Sequence, residues 1–261
     1  MRKLYAIANL AVIVAVIIWN YAANAIGING NSVGSLSDRY DTLFTPAGYA
    51  FAIWGIIYLG LIAHGIFQVR SAFSPNRDDT FISQMGPWFI IANLANAGWI
   101  WFWLTEQTGI SVVMMLIILI SLIILIIRLN MERWDAPLPI LAWVWWPLCL
   151  YSGWIAVATI ANVAAYLKKS GWEFLFSDLT WAIIMVTVAT LLNLFLILTR
   201  NMREFAAVGI WALLAIAVRH WGAIPSLQWT ALLGAVVLFI AITIHGYRNR
   251  STNPVLKRME M

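Results

Sequence analysis

Charge is what this chain has least of: 10% of its 261 residues are Asp, Glu, Lys or Arg, while 62% are hydrophobic. A soluble domain carries about 25% and 45–50%, so water is excluded as the main solvent and the bilayer takes its place. Cysteine is nearly absent. Cys149 stands alone inside an apolar run, which rules out an internal disulfide and a cysteine metal site and leaves the redox compartment unread. Long polar segments are missing too. The largest, about residues 27 to 45, carries Gly27, Gly30, Gly34 and several Asn and Ser, too short for a soluble domain.

Charges are also missing where an ion-coupled transporter needs them. Asp38, Asp41, Asp78, Asp79, Glu106, Glu132, Asp135, Glu173, Asp178, Glu204 and Glu260 all fall in loops or at span ends, which argues against a mid-membrane ion relay. His64, His220 and His245 stand singly, with no second ligand at helical spacing, and read as core or interfacial histidines rather than a metal or bis-histidine haem site. There is no phosphate-binding glycine loop, dinucleotide fingerprint or Ser/His/Asp arrangement. No cofactor is required by anything in the sequence.

What is present is a series of apolar runs, at about residues 4 to 26, 46 to 69, 84 to 104, 110 to 129, 139 to 166, 178 to 199, 203 to 221 and 226 to 247. Each suffices to cross about 30 Å of hydrocarbon as a helix. Their Ile, Val and Trp content would suit strands in water, but a spanning segment must satisfy its own backbone, so helix wins. The fold class expected is all-α, a polytopic transmembrane bundle of eight spans, with the lipid bilayer as its first partner. The short links at 105–109 and 200–202 predict that spans three and four, and six and seven, lie antiparallel.

The net charge of +5 and pI near 9.6 do not indicate nucleic acid, because topology accounts for the cations. With the N-terminus in the cytoplasm, eight spans place Arg2, Lys3, Arg70, Arg77, Arg128, Arg133, Arg200, Arg203, Arg248, Arg250, Lys257 and Arg258 on that side. Arg39, Lys168, Lys169 and Arg219 fall on the other. This bias predicts both termini inside, the tail from Arg248 to Arg258 lying against anionic lipid. The opening Arg2-Lys3 and Ala22-Ala23-Asn24-Ala25 resemble a signal peptide with a cleavage site. The apolar stretch exceeds the usual 7–15 residues, so it reads as the first span, and with no Arg/Ser-rich transit segment before it a bacterial plasma membrane is expected.

Aromatics are in excess, with 16 tryptophans. Trp134, Trp143, Trp172, Trp181, Trp221 and Trp229 lie near span ends, as an interfacial belt requires. Others share helical faces with amides: Asn93, Asn96, Trp99 and Trp103 on the third span, Trp54 and Tyr58 on the second, Tyr151, Trp154, Ala158 and Asn162 on the fifth, Asn20 and Asn24 on the first. Spacing alone admits two readings. Amides and indoles can hydrogen-bond between helices, with Gly60, Gly153 and Ala158 allowing close approach, or they can line one cavity for a flat apolar ligand such as a porphyrin or sterol.

At these positions the sequence resembles the tryptophan-rich sensory or translocator (TspO/MBR) family of five-helix membrane proteins. Pro46, Trp54 and Tyr58 are similar to its second-helix pattern, Asn96 and Trp99 to its third-helix Asn-x-x-Trp. Tyr151-x-x-Trp154-x-x-x-Ala158-Thr159-x-x-Asn162 is similar to its fifth. The resemblance covers residues of about 3 to 167 and leaves three further spans, giving a division into a five-helix core, 1–167, and an added region, 168–261. Leu150 stands where the family has proline, Pro147 lies three residues earlier, and the proline-rich approach to Trp54 is shortened.

The resemblance implies that the loop after the first span caps a pocket faced by Trp54, Asn96, Trp99, Trp154 and Asn162. It implies a small planar hydrophobic ligand, a porphyrin or haem-like tetrapyrrole, with a homodimer as a further partner state. Val163-x-x-Tyr166-x-Lys168 fits a loose cholesterol-contact pattern, and equally an interfacial anchor. The leading expectation is a sensor or binding protein. A permease or permease subunit for a small organic molecule comes second. An enzyme oxidising bound porphyrin through redox-active Trp54 and Trp154 comes third.

Overall fold

In hydrocarbon every backbone N–H and C=O must find its partner within the chain, and the apolar runs do this as helices. A computed structural model describes residues 1–172 and 176–250; Glu173, Lys257, Arg258 and Glu260 lie outside the described residues. Among those described, ten helices follow in order: α1 (Arg2–Ile26), α2 (Val33–Tyr40), α3 (Ile53–Ala72), α4 (Thr80–Met85), α5 (Trp88–Leu104), α6 (Thr108–Arg128), α7 (Leu138–Lys169), α8 (Asp178–Arg200), α9 (Arg203–Arg219) and α10 (Pro225–Arg248). Six stretches are long and apolar enough to cross a membrane: α1, α3 with its preceding turn Gly48–Ala52, α6, α7, α8 and α10. The chain is an all-α polytopic transmembrane bundle.

Two of the eight expected runs are shorter. The run expected over 84–104 breaks at Gly86, whose φ of 55° and ψ of −140° suit only glycine. Pro87, with no N–H to give, precedes α5. What remains is 17 residues, about 25 Å of helix. α9 also has 17 residues, bounded by Arg203 and Arg219.

Polar order also appears where the sequence suggests only a loop. Within residues 27–45, Ser32 caps α2, its Oγ accepting from the Ser35 N–H at 3.1 Å while Ser35 Oγ accepts from the Ser32 N–H at 2.8 Å. This reciprocal box starts a helix too short to form by propensity alone.

α7 contains a π-helical turn, Leu141–Trp145, just before Pro147. The proline has no N–H for the Trp143 carbonyl four residues back. His64 Nδ1, 2.7 Å away on α3, donates to that carbonyl instead. Close by, Gly60 lets α3 approach Pro147, since a Cβ there would lie 3.4 Å from the proline Cβ.

Short links make successive helices antiparallel. α5 packs along α6 as the 105–109 link requires, and α8 touches α9. α1 lies against α3 and α5, and α6 against α7. α9 rests on α7, α8 and α10, so it joins the last three helices to the rest. One face of the bundle, the terminal face, holds the start of α1 and the end of α10. The other, the cap face, holds α2.

Candidate ligand pocket

The site is built where α1, α3, α5 and α7 meet under α2. α3 brings Trp54 and Tyr58, four residues apart and therefore adjacent, stacked with centroids 5.1 Å apart. Trp54 also meets Tyr151 of α7 edge-on at 6.0 Å. Trp154, three residues on and 2% exposed, meets Phe51 edge-on at 5.9 Å. From α5, Trp99 lies over Trp103 at 6.3 Å, and its Nε1–H donates to Asn162 Oδ1 at 3.0 Å. Asn162 Nδ2 in turn donates to Ser111 Oγ at 2.9 Å, locking the amide.

Two cavities lie among these rings. One of about 360 Å³ is bounded by Asn20 and Asn24 of α1 together with Tyr58, Trp54 and Trp99. The other, about 40 Å³, is walled by Trp54, Trp99, Trp103, Trp154, Ala158 and Asn162. Trp54, Trp99, Phe51 and Val33 stand in both walls and partition them. Among the described residues, neither wall contains a charged side chain. The space therefore favours aromatic stacking with a few amide and hydroxyl contacts.

Of the residues singled out from sequence, Asn20, Asn24, Trp54, Tyr58, Trp99, Trp154, Ala158 and Asn162 line one or both cavities. Asn93, Asn96 and Tyr151 do not. Asn93 Nδ2 turns back to the Phe89 carbonyl at 2.8 Å. Asn96 Oδ1 accepts from Asn20 Nδ2 at 2.6 Å, and the same Nδ2 reaches Tyr58 Oη at 2.6 Å. Tyr151, 1% exposed, backs Trp54. Asn96 and Tyr151 thus support the wall from behind.

The cap is tied down from several helices. Asn24 Oδ1 accepts from the Val33 N–H at 3.0 Å, fastening α2 to α1. Glu106, in the α5–α6 link, receives Arg39 Nη1 at 2.9 Å and Tyr40 Oη at 3.2 Å. Burial and that carboxylate push the Tyr40 hydroxyl up to about 12. Lys168 and Lys169 donate to the Asp41 and Glu106 carbonyls. α9 contributes Arg219, which bridges Asp38 at 2.7 Å and Asp41 at 3.0 Å, and Trp211, whose Nε1–H reaches the Ala50 carbonyl at 3.0 Å. His220 Nε2 donates to the Leu43 carbonyl at 2.9 Å.

Sequence reading missed this clamp, because its partners lie far apart in the chain and no local pattern pairs them. It also missed Val33 and Phe51 as wall residues, whereas Trp103, on the amide–indole stripe of the third span, does line the smaller cavity. The cholesterol-contact pattern does not form one surface: Tyr166 packs at Gly109 of α6, whereas Lys168 turns to Asp41.

No curated protein and no solved structure matches the chain. The family comparison matches it over residues 6–244 to the TSPO-like proteins. That span reaches well past residue 167, so α8 and α9 and most of α10 fall within the matched region, and the resemblance does not end with the fifth span as the motifs suggested. This chain belongs to the TSPO-like protein family.

Proposed function

We propose that this protein spans a plasma membrane eight times, with both termini cytoplasmic, and binds a planar hydrophobic ligand of the tetrapyrrole class between α1, α2, α3, α5 and α7. The observation that carries the reading is the paired cavities: without a charged side chain among their described lining residues, walled in part by indoles and amides, and sharing Trp54, Trp99, Phe51 and Val33. Rotating those indoles merges two spaces into one slot, and flat rings are what an indole-walled slot holds best. Family membership supports the same reading. The smaller cavity, about 40 Å³, holds only a few waters, so uptake requires the partition and the cap to move. Trp54 and Trp154 stack on the ligand, while Asn20, Asn24 and Asn162 orient it.

The test is tryptophan-fluorescence quenching of the purified protein titrated with protoporphyrin. Trp54→Phe/Trp154→Phe is compared with the distant Trp229→Phe. Saturable quenching lost in the pocket double variant alone supports a binding protein. No saturation, or equal loss in the control, overturns it and directs attention to ligand flux across proteoliposomes.

A further inference from the structure

A second opening on the cap face lies apart from the two indole cavities, with Trp172 and Trp181 in its own lining. Helices α7 and α8 follow one another in the chain, yet both rest on α9 and they scarcely touch each other. The space between their cap-face ends is a groove of about 310 Å³. Ala164, Ala182 and Met185 form its flanks and Phe44 closes its inner side. The ends of spanning helices lie where lipid headgroups lie. At that level the groove carries, among the described residues, one charge of each sign, Lys168 at the end of α7 and Asp178 at the start of α8.

These two charges do not neutralise each other, since no ion pair joins them among the described residues. Lys168 uses one of its three donors on the Asp41 carbonyl. The Asp178 carboxylate lies in the first turn of α8, where negative charge is favoured. A matching occupant needs an anion and a hydrogen-bonding cation held apart on one head, with apolar chains below.

The geometry points to a binding site for one zwitterionic phospholipid with a primary-ammonium head, a phosphatidylethanolamine. Its phosphate accepts from Lys168, its ammonium donates to Asp178, and one acyl chain descends past Ala164, Ala182 and Met185. The site is separate from the indole cavities but shares a wall with them. Thr42, Leu43 and Phe44 line the groove, whereas Thr45 and Pro46, next in the chain, line the smaller indole cavity. A bound lipid braces that wall from outside.

Native mass spectrometry of the full chain in detergent, titrated separately with phosphatidylethanolamine, phosphatidylglycerol and diacylglycerol of identical acyl chains, tests this site. The expected result is one tightly retained phosphatidylethanolamine, with phosphatidylglycerol weaker by about fivefold because it meets Asp178 without an ammonium. Asp178→Asn should remove that preference, Lys168→Gln should weaken both phospholipids, and Met185→Trp should block the groove to all three. Circular dichroism on each variant, and saturable protoporphyrin quenching on Asp178→Asn and Met185→Trp, confirm that fold and indole pocket remain. Equal retention of the three lipids, a preference for phosphatidylglycerol, or unchanged binding in a folded Met185→Trp variant would overturn the assignment.

Discussion

Helices α1 to α7 and helices α8 to α10 use polar side chains differently. In the first group some fold back onto their own helix, as Asn93 and Thr159 do, but others cross between helices: Asn9 to Gln68 at 2.7 Å, Asn20 to Asn96 at 2.6 Å, Trp99 to Asn162 at 3.0 Å. In the second they fold back onto their own helix, Thr187, Thr190, Asn193, Thr199, Thr230 and Thr243 each donating to the carbonyl four residues earlier. The second group coheres through small residues instead. A Cβ on Gly209 would lie 2.7 Å from Asn193, and one on Gly234 would lie 2.6 Å from Thr190. Its polar groups that do reach outward, Trp211, Arg219, His220 and Asn201, end on the first group. One region is built around cavities walled by indoles with a few amides; the other is a packed wall that holds its cap.

The largest expected effect comes from prising the two regions apart. Gly153 on α7 sits so close to α9 that a Cβ there would lie 3.0 Å from both the Phe205 carbonyl oxygen and the Val208 Cβ. Gly153→Leu has no rotamer to escape into and should cost about 3 kcal/mol. That corresponds to a fall of about 6–12 °C in thermal unfolding in detergent. Gly48→Ala, at a position open to space, serves as the control; equal melting of the two would mean that the regions are not joined at this crossing.

The terminal face offers a second way to test the seam. Glu132, in the α6–α7 link, receives Asn201 Nδ2 of the α8–α9 link at 3.3 Å. Desolvation first, then Glu204, push its carboxyl up from 4.5 to about 8, against the opposing pull of Arg203. A folded value above the unfolded one means that the fold holds the proton more tightly. The stability so contributed is complete below about 4.5 and is lost as pH rises through about 8. Glu132→Gln should therefore be more stable than the native chain at pH 8.5, by about 2 kcal/mol, with the gap closing toward pH 5. A gap independent of pH between 5 and 8.5 would sever the carboxyl from the seam.

The sequence is legible to different depths in the two regions. Apolar run length sets the spans in both, because the bilayer allows few alternatives. The break at Gly86-Pro87 was written in the dipeptide but hidden by apolar residues on either side. Ser32 and Ser35 announced α2 in a stretch that otherwise reads as loop. Helical spacing places Trp54, Trp99, Trp154 and Asn162 on usable faces, yet a face does not say which neighbour it meets, so Asn96 and Tyr151 could not be told from wall residues. Residues beyond 167 carry no indole–amide motif, and their membership shows only over the whole length, 6–244. Contacts such as Arg219 to Asp38, 181 residues apart, leave no local trace.

Single hydrogen bonds separate the two regions further. Asn162→Leu strands the Trp99 Nε1–H inside the pocket wall, while Ser111 keeps its bond to the Thr108 carbonyl, and should cost about 1–2 kcal/mol. Asn193→Ala removes a buried side chain that packs on Gly209 but is hydrogen-bonded only to its own helix, and its Oδ1 has no partner to lose. About 0.5 kcal/mol is expected there. Comparable losses in chemical unfolding would erase the distinction between cross-helix and back-bonded amides.

The smallest thermodynamic effect is expected at the cap clamp, where it matters most for uptake. Arg219 bridges Asp38 and Asp41, whose side chains are 61% and 68% exposed, so Arg219→Gln should change unfolding stability by only about 0.5 kcal/mol. The cap is nonetheless the part that must lift for a ligand to enter, and the same small energy spent there acts directly on opening. Protoporphyrin association measured by stopped-flow quenching should accelerate about twofold in Arg219→Gln. In the native chain it should accelerate as salt screens the exposed bridges, and the variant should lose most of that salt response. If association in both proteins is equally fast and equally indifferent to salt, α9 supports the pocket by packing alone and the cap is not held by charge.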